Sequence, residues 1–180
     1  MAYDYDIVVI GGGPAGYAGA IRAAQLGKRV LCVERDKLGG ICLNWGCIPT
    51  KALLTNAHLV EMIKNHGKAF GYSGDASWDF GQMIARSRGV ASNLNKGIEG
   101  LFRKYKVQHK LGVAKVLDPH TVKVGDQSVT TESIVVATGV RPRPLSGAEF
   151  DGKTIISYKE AMSLWRDGAL EGQIVKLDGD

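Results

Sequence analysis

The apolar positions at the start of the chain alternate between a strand-like and a helical spacing. An apolar run at Tyr5–Ile10 predicts a strand, residues 14–26 predict a helix that ends at Gly27, and residues 29–34 predict a second strand. This βαβ order predicts an α/β fold built on a parallel sheet. The helix positions expected to cover the sheet are apolar or small, namely Ala18, Ile21, Ala24 and Leu26.

The middle of the chain has a helical pattern and the following part an extended one. One helix is expected to reach about His66, and apolar residues at helical spacing predict a longer amphipathic helix over residues 80–105. Beyond residue 106 the pattern predicts short strands at residues 107–116, 121–124 and 127–130 and a buried strand at residues 134–137, with turns between them. The short strands predict a small antiparallel β-meander beside the parallel sheet.

The end of the chain predicts less regular structure. Residues 141–144 alternate arginine and proline and are interpreted as a linker, so the chain is divided at residue 144 into a domain, 1–144, and a tail, 145–180. Ser157 and Glu160 have the spacing of a capping box and predict a short helix to about Arg166. Residues 173–177 have the composition of one further strand.

Composition and charge exclude several classes of protein. The net charge is +5, but the basic residues are spread along the chain rather than grouped with aromatic residues, so nucleic-acid binding is not expected. No apolar run is long enough for a membrane span. The first strand begins almost at once, which leaves no room for a leader, so a cytoplasmic protein is expected, with a processed organellar protein as the alternative.

A glycine-rich turn joins the first strand to the first helix. Gly11, Gly13 and Gly16 form the pattern G-x-G-x-x-G, in which the glycines permit a tight turn, an approach by pyrophosphate and close packing of helix on strand. The helix N-terminus can bind the anion, and Glu34, at the end of the second strand, can accept hydrogen bonds from ribose hydroxyls. The pattern predicts a dinucleotide site but does not distinguish FAD from NAD.

Two of the three cysteines, Cys42 and Cys47, lie five residues apart just after this unit. On an ideal helix, residues at that separation have Cα atoms about 8.5 Å apart, and a disulfide tolerates at most about 7 Å. A regular helix therefore cannot run through both cysteines if they are bonded, and Gly46 supplies freedom to distort it. So short a loop would add little stability, which favours a redox role over a structural one. Cys32 lies in an apolar run and is expected to be buried in the core.

Four readings remain open from these residues alone. The chain is an FAD-dependent dithiol oxidoreductase, a non-catalytic FAD-binding module that needs a partner chain, or a plain NAD-dependent dehydrogenase. A metal site at the two cysteines is the fourth reading, but C-x₄-C without a second pair is a poor zinc motif, so no metal is expected.

The segment Gly39–Lys51, GGICLNWGCIPTK, resembles the redox-disulfide segment of the two-cysteine flavoprotein disulfide reductases, the class I pyridine nucleotide-disulfide oxidoreductases. Within that family it is most similar to the dihydrolipoamide dehydrogenase branch, and the likeness extends through Ala137-Thr138-Gly139 to about residue 164. The resemblance implies a Rossmann-like FAD-binding domain with a redox-active disulfide. It also implies oxidation of dihydrolipoamide, free or on a lipoyl-bearing protein, with NAD⁺ as acceptor, by a homodimer.

The resemblance also implies roles for single residues. Cys42 would be the thiol that exchanges with substrate, Cys47 would lie against the flavin and form a charge-transfer thiolate when reduced, and Lys51 would approach the flavin N5. The residues expected to contact FAD are Gly11, Gly13, Pro14, Ala15, Gly16, Glu34, Arg35, Gly39, Gly40, Ile41, Cys42, Cys47, Lys51, Ala114, Ala137, Thr138 and Gly139.

The family's later segments have no counterpart in these 180 residues. A second glycine fingerprint for NAD, the segment that completes the FAD domain, and the interface domain with its His–Glu pair are expected to be absent. The chain is therefore interpreted as an N-terminal part of a reductase or a truncated relative, unable to turn over alone. The strand that ends at Ala137 is expected to lack an outer neighbour.

Overall fold

A computed structural model describes residues 3–163 of the chain. These residues fall into two compact units, which are described separately. Of the described residues, 3–44 and 92–141 form the first unit, and 45–91 and 142–163 form the second. The division into domains at residue 144 stays a prediction, as does the strand at residues 173–177, which lies outside the described residues.

The elements follow the order expected from the sequence, except that the two strands expected at residues 127–130 and 134–137 form one strand. The strands are β1 (Tyr5–Ile10), β2 (Val30–Glu34), β3 (Gln108–Leu111), β4 (Ala114–Asp118), β5 (Thr121–Val124) and β6 (Gln127–Val136). The helices are α1 (Pro14–Gln25), α2 (Gly40–Trp45), α3 (Cys47–His66), α4 (Phe80–Lys104) and α5 (Tyr158–Ala161), with a 3₁₀ turn at Gly67–Phe70. The capping box of Ser157 and Glu160 is present at the start of α5, which ends before the predicted Arg166.

The first unit contains a sheet with the strand order β3-β2-β1-β6-β5-β4. Strands β3, β2, β1 and β6 are parallel neighbours, and β4, β5 and the first part of β6 form an antiparallel meander. The Rossmann-like α/β fold predicted from the sequence is therefore confirmed. A parallel sheet is buried on both faces, so its strands carry apolar side chains on both sides. This explains the continuous apolar run of β2.

One part of the core of this unit lies between the parallel strands and the meander. Val8, Leu31 and Val33 of the parallel strands form one buried cluster with Val122 and Val124 of β5. Side chains alternate between the two faces of a strand, so Val122 and Val124, two residues apart, point to the same side. The meander thus packs against one face of the parallel strands.

The face of α1 that is buried differs from the one predicted. Gly16 and Ala20 are the buried residues of the helix, whereas Ala18 is exposed and Leu26 is 64% exposed. Ile21 and Ala24 are partly buried, so the expectation was wrong for Ala18 and Leu26. It followed hydrophobicity, while this helix approaches the sheet closely through residues that have little or no side chain.

The end of β6 is less buried than predicted. Residues 132–136 pair only with β1 among the described strands, and β5 pairs with residues 127–130. Val135 and Val136 are 41% and 68% exposed, so the expectation of a buried strand at residues 134–137 was wrong. The open edge expected next to this strand is confirmed for the part of the chain that the structure describes.

Candidate nucleotide site and dithiol segment

The four parallel strands of the first unit end at one edge of the sheet. They are β1, β2, β3 and β6, and their last residues are Ile10, Glu34, Leu111 and Val136. Ligands of parallel α/β sheets bind outside these carboxyl ends. The residues predicted to contact FAD follow the four ends in sequence, at 11–16, 34–42, 114 and 137–139, except Cys47 and Lys51, which belong to the second unit.

The glycine turn after β1 leaves no room for side chains at two of its positions. Gly11 has φ +106°, and a Cβ there would lie 2.3 Å from the carbonyl oxygen of Ala137. A Cβ on Gly16 would lie 1.7 Å from the carbonyl oxygen of Gly11. The turn leads into α1 at Pro14, and no side chain at Gly13 caps the helix. The first backbone N–H groups of α1 can therefore donate hydrogen bonds to an anion.

Glu34 holds this turn from the end of β2. One carboxylate oxygen accepts a hydrogen bond from the N–H of Gly12 at 2.7 Å, and the other accepts one from the N–H of Asp36 at 2.9 Å. An ionised carboxylate can accept about four hydrogen bonds, so Glu34 keeps acceptor capacity for ribose hydroxyls. The carboxylate therefore has a role in ordering the turn that the sequence pattern did not suggest.

A second loop packs directly on the glycine turn. The N–H of Gly39 donates to the carbonyl of Gly12 at 2.8 Å. Gly40 has φ +57°, and a Cβ there would lie 2.8 Å from the Cα of Gly13. These contacts place the start of α2, which carries Ile41 and the half-buried Cys42, beside the predicted pyrophosphate position.

Asn44 is a positioning residue that the sequence reading missed. It is 6% exposed, and its amide nitrogen donates to the carbonyls of Leu38 and Gly40, both at 2.9 Å. Its side-chain oxygen accepts a hydrogen bond from Asn95 of α4 at 2.7 Å. A polar residue in an apolar segment just after Cys42 was the available signal, because a buried amide requires partners.

The helix breaks between the two cysteines. Cys42 lies in α2, and Cys47 is the first residue of α3. Gly46 separates the helices with φ −125° and ψ −114°, outside the helical region, which is the break that a bond between the two cysteines would require. Cys47 and Lys51 lie one turn apart on α3, and both are exposed.

Comparison with known proteins gives a consistent result. Residues 5–175 match the profile of a family described as pyridine nucleotide-disulphide oxidoreductase. This match covers most of the chain. The chain belongs to the pyridine nucleotide-disulphide oxidoreductase family.

Individual relatives in the family are dihydrolipoyl dehydrogenases. The chain is 43% identical to the dihydrolipoyl dehydrogenase of Rhizobium etli, over 90% of the chain and 38% of that protein. It is 47% identical to the dihydrolipoamide dehydrogenase of Chaetomium thermophilum, over 89% of the chain and 33% of that protein. The chain thus spans about a third of the length of the curated relatives it matches.

Membership of this family implies FAD and NAD as cofactors. The first unit fits the FAD part of that expectation, because a turn that excludes side chains, a helix N-terminus and a carboxylate with spare acceptor capacity meet at one edge of the sheet. Among residues 3–163 there is no group of three or more His, Cys, Asp or Glu arranged to hold a metal ion. In the same residues no helix is long and apolar enough to cross a membrane.

Cys32 is expected to be inert to thiol reagents. It is fully buried in β2, and burial together with the charge of Glu34 raises the pKa of its thiol to about 12. The thiolate is the reactive form, so at about pH 8 only about one Cys32 in 10,000 is ionised. Alkylation of the reduced, natively folded chain followed by peptide mass spectrometry should label Cys42 and Cys47 but not Cys32. Labelling of Cys32 in native protein at a rate similar to that in denaturant would contradict its burial.

Proposed function

We propose that the chain provides the FAD-binding and dithiol part of a dihydrolipoyl dehydrogenase. The reaction is oxidation of dihydrolipoamide to lipoamide with NAD⁺ as the final acceptor. One observation carries the proposal: Cys42 starts from a loop bonded to the glycine turn, and the helix breaks before Cys47. The family's relatives that bear this name support it.

The two cysteines have distinct proposed roles. When they form a disulfide, the thiolate of one substrate sulfur attacks Cys42, and the mixed disulfide is resolved by the second substrate sulfur. Lipoamide leaves with its ring disulfide closed, and two protein thiols remain, so the electron pair passes from substrate to protein. Bound FAD supplies the chemistry that carries these electrons on towards NAD⁺. Cys47 and Lys51 are proposed to face the flavin.

The partners follow from the same proposal. The substrate is dihydrolipoamide, free or carried on a lipoyl-bearing protein, and the working enzyme is a homodimer in the cytoplasm. The dimer is proposed from the family resemblance. NAD⁺ is proposed to bind outside these 180 residues, because their glycine fingerprint is the one assigned to FAD.

A second candidate is supported by the open edge of β6. Val136 is 68% exposed at a strand that has one described neighbour over residues 132–136. An uncovered apolar edge is suited to pairing with a further strand. On this reading the chain is an FAD-binding module whose sheet is completed by another segment or a partner chain.

Reconstitution with FAD tests the proposal. The chain, purified and incubated with FAD, is expected to become yellow, to bind NAD far more weakly, and to lose flavin on extensive dialysis more readily than a full-length relative. Absorbance after dialysis and a fluorescence titration measure both properties. Binding of NAD without FAD would favour a plain dehydrogenase instead. FAD binding with no dithiol-dependent spectral change would favour the non-catalytic module.

A further inference from the structure

In the second unit, a short segment near the end of the described chain contacts the beginning of the helix that carries Cys47. The ammonium of Lys159 lies 4.5 Å from the ring centroid of Trp45. The hydroxyl of Thr50 lies 4.0 Å from the sulfur of Met162, at hydrogen-bonding distance for sulfur. Trp45 immediately precedes the break at Gly46, and Thr50 ends the first turn of α3.

The segment that makes these contacts is itself ordered by its sequence. The side chain of Ser157 accepts a hydrogen bond from the N–H of Lys159 at 3.3 Å, and its hydroxyl bonds to Glu160. The N–H of Ser157 donates to the carboxylate of Glu160 at 2.8 Å, which completes a capping box. Lys159 is therefore presented from a fixed turn rather than from a loose chain.

We propose that Lys159 is a positioning residue for the redox dithiol, acting through Trp45. This inference rests on the proposed function, in which Cys42 and Cys47 join and separate. Trp45 lies in the four-residue interval between those cysteines, so holding its ring restricts that interval. A restricted interval loses less conformational entropy when the disulfide closes, which raises the effective concentration of one sulfur at the other.

The size of the effect follows from the kind of contact. Lys159 is exposed. A cation–π contact at an exposed site is strong enough to change an equilibrium constant about two- to fivefold. An arginine can make the same contact, whereas a methionine of similar length cannot, because the attraction comes from the positive charge over the ring. Lys153, an exposed lysine earlier in the same stretch, provides a control for loss of charge alone.

The first experiment tests the contact by fluorescence, without flavin or substrate. Trp78 and Trp165 are replaced by Phe, so that Trp45 is the remaining tryptophan of the three in the chain. Lys159→Met is expected to raise acrylamide quenching of Trp45, while Lys159→Arg and Lys153→Met leave it unchanged. Equal quenching in all four proteins would overturn the contact.

The second experiment tests the consequence for the dithiol. The reduced chain is equilibrated with glutathione and glutathione disulfide, so that two protein thiols are oxidised as one glutathione disulfide is reduced to two thiols. Lys159→Met is expected to lower the effective concentration of the Cys42–Cys47 pair about two- to fivefold, with recovery in Lys159→Arg. A value equal to or above wild type in Lys159→Met would overturn the positioning role. Failure of the wild-type chain to form this bond would contradict the proposed function, and the quenching result would still decide whether Lys159 holds Trp45.

Discussion

Gly16→Ala is expected to weaken FAD binding by the chain strongly. The new Cβ would lie 1.7 Å from the carbonyl oxygen of Gly11 and 2.8 Å from its carbonyl carbon. Both atoms belong to the backbone of the turn that is predicted to receive the pyrophosphate, so the helix or the turn must move. Overpacking of this kind costs about 3 kcal/mol. If the FAD-binding conformation of the turn bears that strain, FAD binding becomes about 100-fold weaker. Titration of the purified variant with FAD, followed by flavin fluorescence, measures the loss.

The matched control is Gly19→Ala on the same helix. Nothing lies within 4 Å of a Cβ at Gly19, and the residue is exposed. This variant should bind FAD as the wild type does and should gain about 0.5–1 kcal/mol of stability, because alanine favours helix over glycine. Wild-type FAD affinity in Gly16→Ala, or an equal loss in both variants, would show that close packing at Gly16 is not what forms the site.

Cys47→Ser is expected to remove the proposed redox function of the chain completely. Serine cannot form a disulfide, so the two-electron couple of Cys42 and Cys47 is lost. In the FAD-loaded wild type, an added dithiol should produce a long-wavelength charge-transfer band, because a Cys47 thiolate would lie against the flavin. The variant should show no such band, and its oxidised form should contain no peptide pair linked between positions 42 and 47. Absorbance spectra and peptide mass spectrometry report the two effects independently.

Cys32→Ser is the control for loss of a cysteine. Cys32 is buried at the centre of β2 and has no part in the proposed exchange. The variant should keep both the band and the linked peptides, although its stability falls because a hydroxyl replaces a buried thiol. If the band persists in Cys47→Ser, the assignment of Cys47 to the flavin is wrong. If the band disappears in Cys32→Ser while FAD is still bound, the roles assigned to Cys32 and Cys47 are wrong.

Local signals in the sequence predicted the regular elements well. The bounds of β1 match the apolar run, α3 ends at the predicted His66, and α4 covers almost the whole amphipathic pattern. The capping box at Ser157 formed as its spacing indicated. These features depend on residues within one or two turns of each other, so the chain itself contains the information.

Features that depend on distant residues were predicted less well. The sequence suggested two separate strands at residues 127–130 and 134–137, but β6 is a single strand that pairs with β5 at one end and β1 at the other. Whether a valine in it is buried depends on which strands lie beside it. The hydrogen bond between Asn44 and Asn95 could not be predicted for the same reason, because the two residues are far apart along the chain.

The sequence by itself determined the chemistry available to this protein: a glycine turn for a dinucleotide, an acid at the end of the second strand, and two cysteines whose spacing requires a break in the helix if they bond to each other. The tertiary structure decided which of these groups meet. It alone showed that Glu34 bonds to the turn, that Gly39 and Gly40 pack on it, and that Lys159 covers Trp45. The reason is physical: local spacing fixes backbone conformation, whereas contacts between distant residues are selected by packing of the whole sheet and its helices.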